Sequence, residues 1–508
     1  MDAALNKRLV GVHREPTLVE FVPWVVAAHT VLLKDRRDFL GKRDFLSATS
    51  AKNNCHRQRN DRNDRCLSHI LCSATSKGNL VHKNSFLSRE KQQKSCVDSL
   101  NEKGYISWKE EPSELLFLLP NKNILMFHTA SEKEIRSGKV TDVYFDRAVE
   151  ILKAKEIDKR VKAEFVVKQF PDDYRWGVFA GLEECAEILR GMNVTVKALD
   201  EGTIFQADEP VMVIEGRYLD FCVYETPLLG LICQASGIAT KAARCRLAAG
   251  DKRVVHFGAR RMHPAITPMI DRSSYIGGCD GVATVKGAEF LGLAPAGTMP
   301  HSVILLFGDT VEATKAFDEI ISKKVNRIAL VDTFNDEKFE SLKVAQALGK
   351  NLYGVRLDTP GSRRGSLLAI AKEVRWELDL HDCRGVKIFV SGGIDEESIQ
   401  ELNEVVDAYG VGTSISSAPV LDYAMDIVEI EGVPIAKRGK RSGEKQLYRN
   451  VKTGERLVLP VKEKFQKKGY EVMLKPFWSK GKLQRKMKDP HEIRRYVLDQ
   501  LRTYQLSL

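Results

Sequence analysis

RIALVDTF (327–334), LYGVRLDTPGSRRG (352–365), VKIFVSGGID (386–395) and AYGVGTSI (408–415) decide how this chain folds. Each is a short apolar run, rich in β-branched residues, that ends in carboxylates, arginines or glycines. Segments with helical spacing separate the runs, at 336–350, 366–382 and 395–407. In the last of these, Ile399, Leu402, Val405 and Val406 fall on one face. Strands alternating with helices predict a parallel sheet with helical crossovers. If that sheet curls into a (β/α) barrel, the loops after the strands form its active face.

Those loops carry phosphate chemistry. SGGI (391–394) followed by GVGTS (410–414) brings Gly392, Gly393, Gly412 and Thr413 to adjacent strand ends. Glycine lets backbone N–H groups approach an anion closely, and a following helix start adds a favourable dipole. Asp332 and Asp358 each close a strand and point into the same mouth. Paired carboxylates there either hold Mg2+ or hydrogen-bond ribose hydroxyls. Arg356 lies two residues before Asp358. Opposite lies HFGARRMHP (256–264), with Arg260, Arg261 and His263. Two adjacent arginines are costly to bury without an anion, so phosphate or carboxylate binding is their natural use.

Working outward, earlier barrel strands are predicted at VVHFGA (254–259), GVAT (281–284) and SVILLF (302–307). Residues 126–240 mix helical spacing (149–157, 181–190) with strand-like EFVVKQF (164–170) and EPVMVIEG (209–216), which reads as an α/β domain preceding the barrel. The barrel occupies 241–430, and a lysine-rich region at 431–508 reads as a small appended domain. Residues 1–125 lack apolar periodicity, NNCHRQRNDRNDRC (53–66) above all, and read as a disordered, dispensable extension outside the native enzyme.

The net charge of +11 invites a nucleic-acid reading, but its distribution argues against one. Residues 1–100 carry +8, residues 101–125 carry −1 and residues 431–508 carry +13, leaving 126–430 at −9. The motif-bearing middle is acidic, and no nucleic-acid recognition motif accompanies the basic ends. The ten cysteines include no CxxC pair. A reducing, cytoplasmic setting is therefore expected. The apolar stretch 18–33 is too short and too polar to span a membrane.

EGTIFQADEPVMVIEG (201–216), YETPLLGLICQASGIATKAARCR (224–246), HFGARRMHP, KGAEFLGLAPAGTMPHS (286–302), LVDTFND (330–336), VRLDTPGSRRG and SGGI together resemble nicotinate phosphoribosyltransferase, in its shorter archaeal and bacterial branch. The resemblance covers roughly 126–445. It implies a type II phosphoribosyltransferase: an α/β N-terminal domain, an incomplete α/β barrel and a homodimer with shared active sites. The implied reaction joins nicotinate to phosphoribosyl pyrophosphate with Mg2+, giving nicotinate mononucleotide and pyrophosphate in NAD salvage.

Carried over by motif, Gly392, Gly393, Gly412 and Thr413 hold the 5′-phosphate, while Asp332 and Asp358 face the ribose and the Mg-bound pyrophosphate. Arg260, Arg261 and His263 bind pyrophosphate or the nicotinate carboxylate, their division left open. Lys241 in SGIATKAAR is a further pyrophosphate contact, and Arg356 a substrate contact. Tyr144 in TDVYF matches an aromatic that stacks on the pyridine ring from the neighbouring subunit, or else packs on its own domain. His301 in GTMPHS matches a histidine phosphorylated in ATP-coupled members, which makes ATP a candidate co-substrate; the alternative is a structural histidine at a strand start. Quinolinate or nicotinamide phosphoribosyltransferase and, from another class, a flavin-nucleotide barrel oxidoreductase are the competing readings.

Overall fold

The computed structural model describes residues 127–506 except 173, 363, 364 and 464. The expectation for residues 1–125 lies outside them.

The first strands are β1 (Arg160–Val167), β2 (Gly177–Val178), β3 (Thr195–Ala198), β4 (Ile204–Phe205) and β5 (Pro210–Arg217). The barrel contributes β6 (Arg253–His256), β7 (Gly281–Val282), β8 (Ile328–Leu330), β9 (Gly354–Leu357), β10 (Lys387–Ser391) and β11 (Ala408–Val411). After it come β12 (Tyr423–Ile430), β13 (Val433–Pro434), β14 (Lys445–Asn450), β15 (Arg456–Pro460), β16 (Tyr470–Val472), β17 (Lys475–Ser479) and β18 (Lys482–Leu483).

The barrel strands run parallel in the order β7-β6-β11-β10-β9-β8, with β7 and β8 left as free edges. Helices Glu337–Leu348, Leu367–Leu380 and Glu396–Leu402 follow β8, β9 and β10. The first two match the predicted segments; the third stops five residues early. Val331, Val355, Leu357, Ile388, Val390 and Val411 are buried together against Val344, Val374, Ile399 and Leu402 from those helices. Each such fully buried aliphatic side chain contributes roughly 1.5–3 kcal/mol.

SVILLF is a helix, His301–Phe307, and not the predicted strand. A short apolar run cannot by itself distinguish strand from helix. The local signals were helical: Pro300 sits at the N-cap, and Gly308 ends the helix at φ +75°. Only Ile304 of this helix is buried, so no alternating face existed for a strand to use. The barrel is therefore open between β7 and β8.

The first sheet is antiparallel, in the order β13-β12-β1-β5-β3-β17-β18. Its alternating strands bury Phe165, Val167, Met212 and Ile214 against the helix Leu182–Leu189. The appended domain expected at 431–508 does not stand apart, because β13, β17 and β18 are strands of this sheet. Only β15-β14-β16 form a sheet of their own. Even that piece is tied down by two low-exposure ion pairs, Lys445 with Glu164 at 2.9 Å and Arg456 with Glu209 at 2.6 Å. The basic character of the segment hid these contacts.

Between sheet and barrel runs the helix Glu225–Ala249, part of Tyr218–Ala249, the one described helical stretch long and apolar enough to cross a membrane. Ile238, Ala239, Ala242, Ala243 and Cys245 are all buried within the fold, which accounts for its apolar composition. Against it lies the terminal helix Pro490–Leu501, whose Ile493, Val497 and Leu501 pack with Trp176, Val178 and Ile204.

Candidate active site

The ends of β6, β7, β8 and β9 and the loop before the helix His301–Phe307, which fills the seam between β7 and β8, surround a cavity of about 480 Å³. Its walls include Phe257, Arg260, Thr298, His301, Arg356 and Asp358.

Arg356 organises one side. Its guanidinium donates to Asp358 (3.0 Å), Ser391 Oγ (2.9 Å) and Thr298 Oγ1 (3.1 Å), and lies 5.3 Å from the centre of the Phe257 ring. Ser391 in turn donates to Asp358 Oδ1 at 2.6 Å. Asp358 is thus an acceptor held in one orientation by two donors. Gly392 follows at φ +84°, and a Cβ there would lie 3.2 Å from Asp358 Oδ1. Gly393 follows at φ +75° with open space before it. Two successive left-handed residues leave the backbone, and no side chain, facing the mouth.

Asp332 faces the seam helix. Its side chain is 2% exposed, and both carboxylate oxygens lie 3.2 Å from His301 Nε2. Burial raises the Asp332 pKa, the charge of Asp358 adds to the rise, and His301 opposes it. His301 is not at a strand start but is the first residue of its helix, 39% exposed.

The arginine turn crosses the far side. Ala259–Arg261 is a single 3-10 turn, with Arg260 and Arg261 exposed. Among the described residues neither has an ion-pair partner, so both cations are available to an anion. Only Arg260 lines the mouth. His263 is exposed and its Nδ1 accepts from Ala265 N–H (3.1 Å), capping the next turn. The GVGTS arm comes down beside this turn: Gly412 caps the short helix Thr413–Ser416, and a Cβ on Gly258 would lie 2.6 Å from the Gly412 carbonyl oxygen.

Two sequence candidates sit elsewhere. Lys241 is paired with Glu396, which Arg244 also holds at 2.8 Å. Glu396 opens the helix after SGGI, so Lys241 is tied to the start of that helix and its ammonium is already engaged. Tyr144 is 57% exposed, donates to Asp142 (3.3 Å) and is not among the residues lining the mouth. Conversely, Phe257, Thr298 and Ser391 were not singled out from sequence. Ser391 and Phe257 stood inside quoted motifs, but only the inward alternation of β6 and β10 shows that they face the barrel axis.

Comparison with known proteins agrees with this geometry. Residues 142–236 match the quinolinate phosphoribosyl transferase N-terminal domain, and 238–426 match the C-terminal domain of that family. A nicotinate phosphoribosyltransferase of Mycobacterium tuberculosis is 32% identical over 304 residues, covering 56% of this chain and 61% of its own. The chain thus spans somewhat under two thirds of that relative's length. The crystal structure of nicotinate-nucleotide pyrophosphorylase from Pyrococcus furiosus is 52% identical, covers 76% of this chain and all of its own, and superposes with a TM-score of 0.74. Human nicotinic acid phosphoribosyltransferase, 22% identical with a TM-score of 0.59 over 70% of this chain and 93% of its own, shares the fold. The chain belongs to the quinolinate phosphoribosyl transferase family, the type II phosphoribosyltransferases, whose N- and C-terminal domains together match more than half of it.

Proposed function

We propose that this chain makes nicotinate mononucleotide and pyrophosphate from nicotinate and phosphoribosyl pyrophosphate, in NAD salvage. The observation that carries the reading is one cavity lined by an oriented carboxylate, Asp358, and by Arg260, which has no ion-pair partner among the described residues, with the left-handed Gly392 against Asp358 and Gly393 next to it. The ring nitrogen of nicotinate is an unprotonated nucleophile near neutral pH, so no strong general base is required. The barrier lies in departure of pyrophosphate and in positive charge growing at the anomeric carbon. Asp358 and Asp332 stabilise that charge, Arg260 the leaving group, and the 5′-phosphate anchors the ribose.

Mg2+ fits this donor set as an ion brought by the pyrophosphate. Among the described residues no three His, Cys, Asp or Glu side chains converge as a metal cage. Mg2+ commonly takes one or two carboxylates and completes its shell with phosphates and water. Asp332 and Asp358 are the residues that would face it, and when bound it neutralises the leaving group.

The reading includes a homodimer in which Tyr144 of one protomer reaches the mouth of the other. It is supported by the exposure of Tyr144 and of Leu305, Leu306 and Phe307 on the seam helix. ATP enters through His301, which is open to the mouth. A product assay offering nicotinate, nicotinamide and quinolinate with phosphoribosyl pyrophosphate and Mg2+, with and without ATP, tests the whole reading. Nicotinate as best substrate is expected; quinolinate as best substrate would reject it.

A further inference from the structure

Beneath the arginine turn lies a chain of buried polar groups that touches no cavity lining described above. His256 and Asp271 are both 0% exposed, and His256 Nδ1 is 2.7 Å from Asp271 Oδ1. The other oxygen of Asp271 accepts from Thr284 Oγ1, which also accepts from Gly287 N–H at 3.1 Å. At the opposite end His256 Nε2 accepts from Gly258 N–H at 3.3 Å. The tautomer follows: with Nδ1–H donated to the carboxylate, Nε2 keeps its lone pair for the backbone.

Gly258 is the hinge of the site. Its carbonyl accepts from Arg261 N–H (3.0 Å), closing the turn that carries Arg260 and Arg261. Its Cα presses on the GVGTS arm so closely that a Cβ would lie 2.5 Å from Ser416 Oγ and 2.6 Å from the Gly412 oxygen. Where Gly258 sits therefore fixes how far Arg260 stands from the grip at Gly412. A buried carboxylate is costly to maintain without returns in geometry. Both partners of Asp271 lead to elements of the mouth.

We propose that Thr284, Asp271 and His256 form a positioning relay that holds the Gly258 turn, and through it Arg260, in register with the phosphate grip for phosphoribosyl pyrophosphate. None of the three touches substrate. The proposal rests on the activity reading above, and the test separates the two.

The ring nitrogens can be replaced one at a time. His256→Asn retains a donor near Nδ1 for Asp271 but removes the acceptor of Gly258 N–H. His256→Gln places an acceptor near Nε2. Losing the acceptor of a buried N–H costs enough to raise KM for phosphoribosyl pyrophosphate by about tenfold in the Asn variant. KM for nicotinate should hold, and Gln should recover most of the loss. Adding Arg260→Ala to His256→Asn should cost far less than it does in the wild type, as coupled positions require. A scaffold role would instead lower the active fraction, reducing kcat at unchanged KM. Equal behaviour of Asn and Gln, an unchanged KM, or full additivity with Arg260→Ala would overturn the relay. If His256→Asn does not fold, Thr284→Val against Thr284→Ser asks the same question from the other end. Wild-type protein without turnover would reject the activity, and the relay would then be judged by the dissociation constant for inorganic pyrophosphate in the same variants.

Discussion

Both carboxylate oxygens of Asp332 lie 3.2 Å from Nε2 of His301, across the gap where a complete barrel would have further strands. The two residues come from opposite sides of the seam, after β8 and at the start of the helix His301–Phe307. His301 lowers the Asp332 pKa while burial raises it, so the imidazole helps keep this carboxylate ionised. In His301→Ala the acid limb of the pH profile for kcat/KM should move to higher pH. Superimposable profiles for wild type and variant would show that Asp332 does not need its partner.

Asp358→Asn should abolish most turnover and leave the fold intact. The amide has nearly the same volume, but its NH2 would meet donors of Arg356 or Ser391, and a negative charge leaves the anomeric centre. Removing one preorganised electrostatic stabiliser costs on the order of a hundredfold or more in kcat. Near-normal turnover with an unchanged melting temperature would reduce Asp358 to a strand-end cap.

The arginines should divide their work. Arg260 lines the mouth and Arg261 does not, so Arg260→Ala should do the greater damage. If Arg260 meets the nicotinate carboxylate, the wild type should prefer nicotinate over nicotinamide by about ten- to a hundredfold, the worth of one charge-assisted hydrogen bond. Arg260→Ala should erase that preference. If it meets the pyrophosphate, the preference survives and KM for phosphoribosyl pyrophosphate rises. Comparing kcat/KM for both bases in the two variants decides the division, and an Arg261→Ala variant that is the worse of the two would contradict the geometry.

Glu225 gives a stability prediction with a definite sign. Burial foremost, then the charges of Asp426 and Asp142, push its carboxyl from 4.5 up to about 7, against the pull of Lys437. The folded state therefore favours the protonated form. Stability is fullest below about pH 4.5, falls as pH rises towards about 7, and levels off above it. Glu225→Gln should stabilise the protein at pH 8 by on the order of 1–2 kcal/mol, partial exposure trimming the full shift, and have little effect at pH 4. Urea midpoints at the two pH values measure it; equal effects at both would refute the assignment.

The barrel was legible because β8 to β11 are buried runs bounded by glycine and carboxylate, and because their helices show a clean apolar face. Placement at strand ends was legible for the same reason: Asp332, Asp358, Gly392 and Gly412 all follow barrel strands, where connectivity alone fixes direction. The pairing of Lys241 was not legible, since nothing near it in sequence announces Glu396, 155 positions later. SVILLF misled because the five consecutive apolar residues 303–307 satisfy either period. Ser391 and Thr298 were invisible as partners of Arg356, because hydrogen bonds between neighbouring strands and a seam loop leave no local pattern. Strand β17 was hidden by its lysine, since Lys475 is half-exposed while Phe477 and Trp478 enter the core.

The interleaving of the first sheet sets an order of events during synthesis. β1 and β3 leave the ribosome early, yet their hydrogen-bonding partners β12 and β17 are made some 260 to 280 residues later. The barrel strands, by contrast, form one contiguous stretch from β6 to β11. Long-range pairings are slow to form, and an unpaired strand edge attracts other chains. Nascent chains stalled before residue 475 should therefore carry a finished barrel beside a sheet with the β3 edge bare, a species that invites chaperone capture until the last strands arrive.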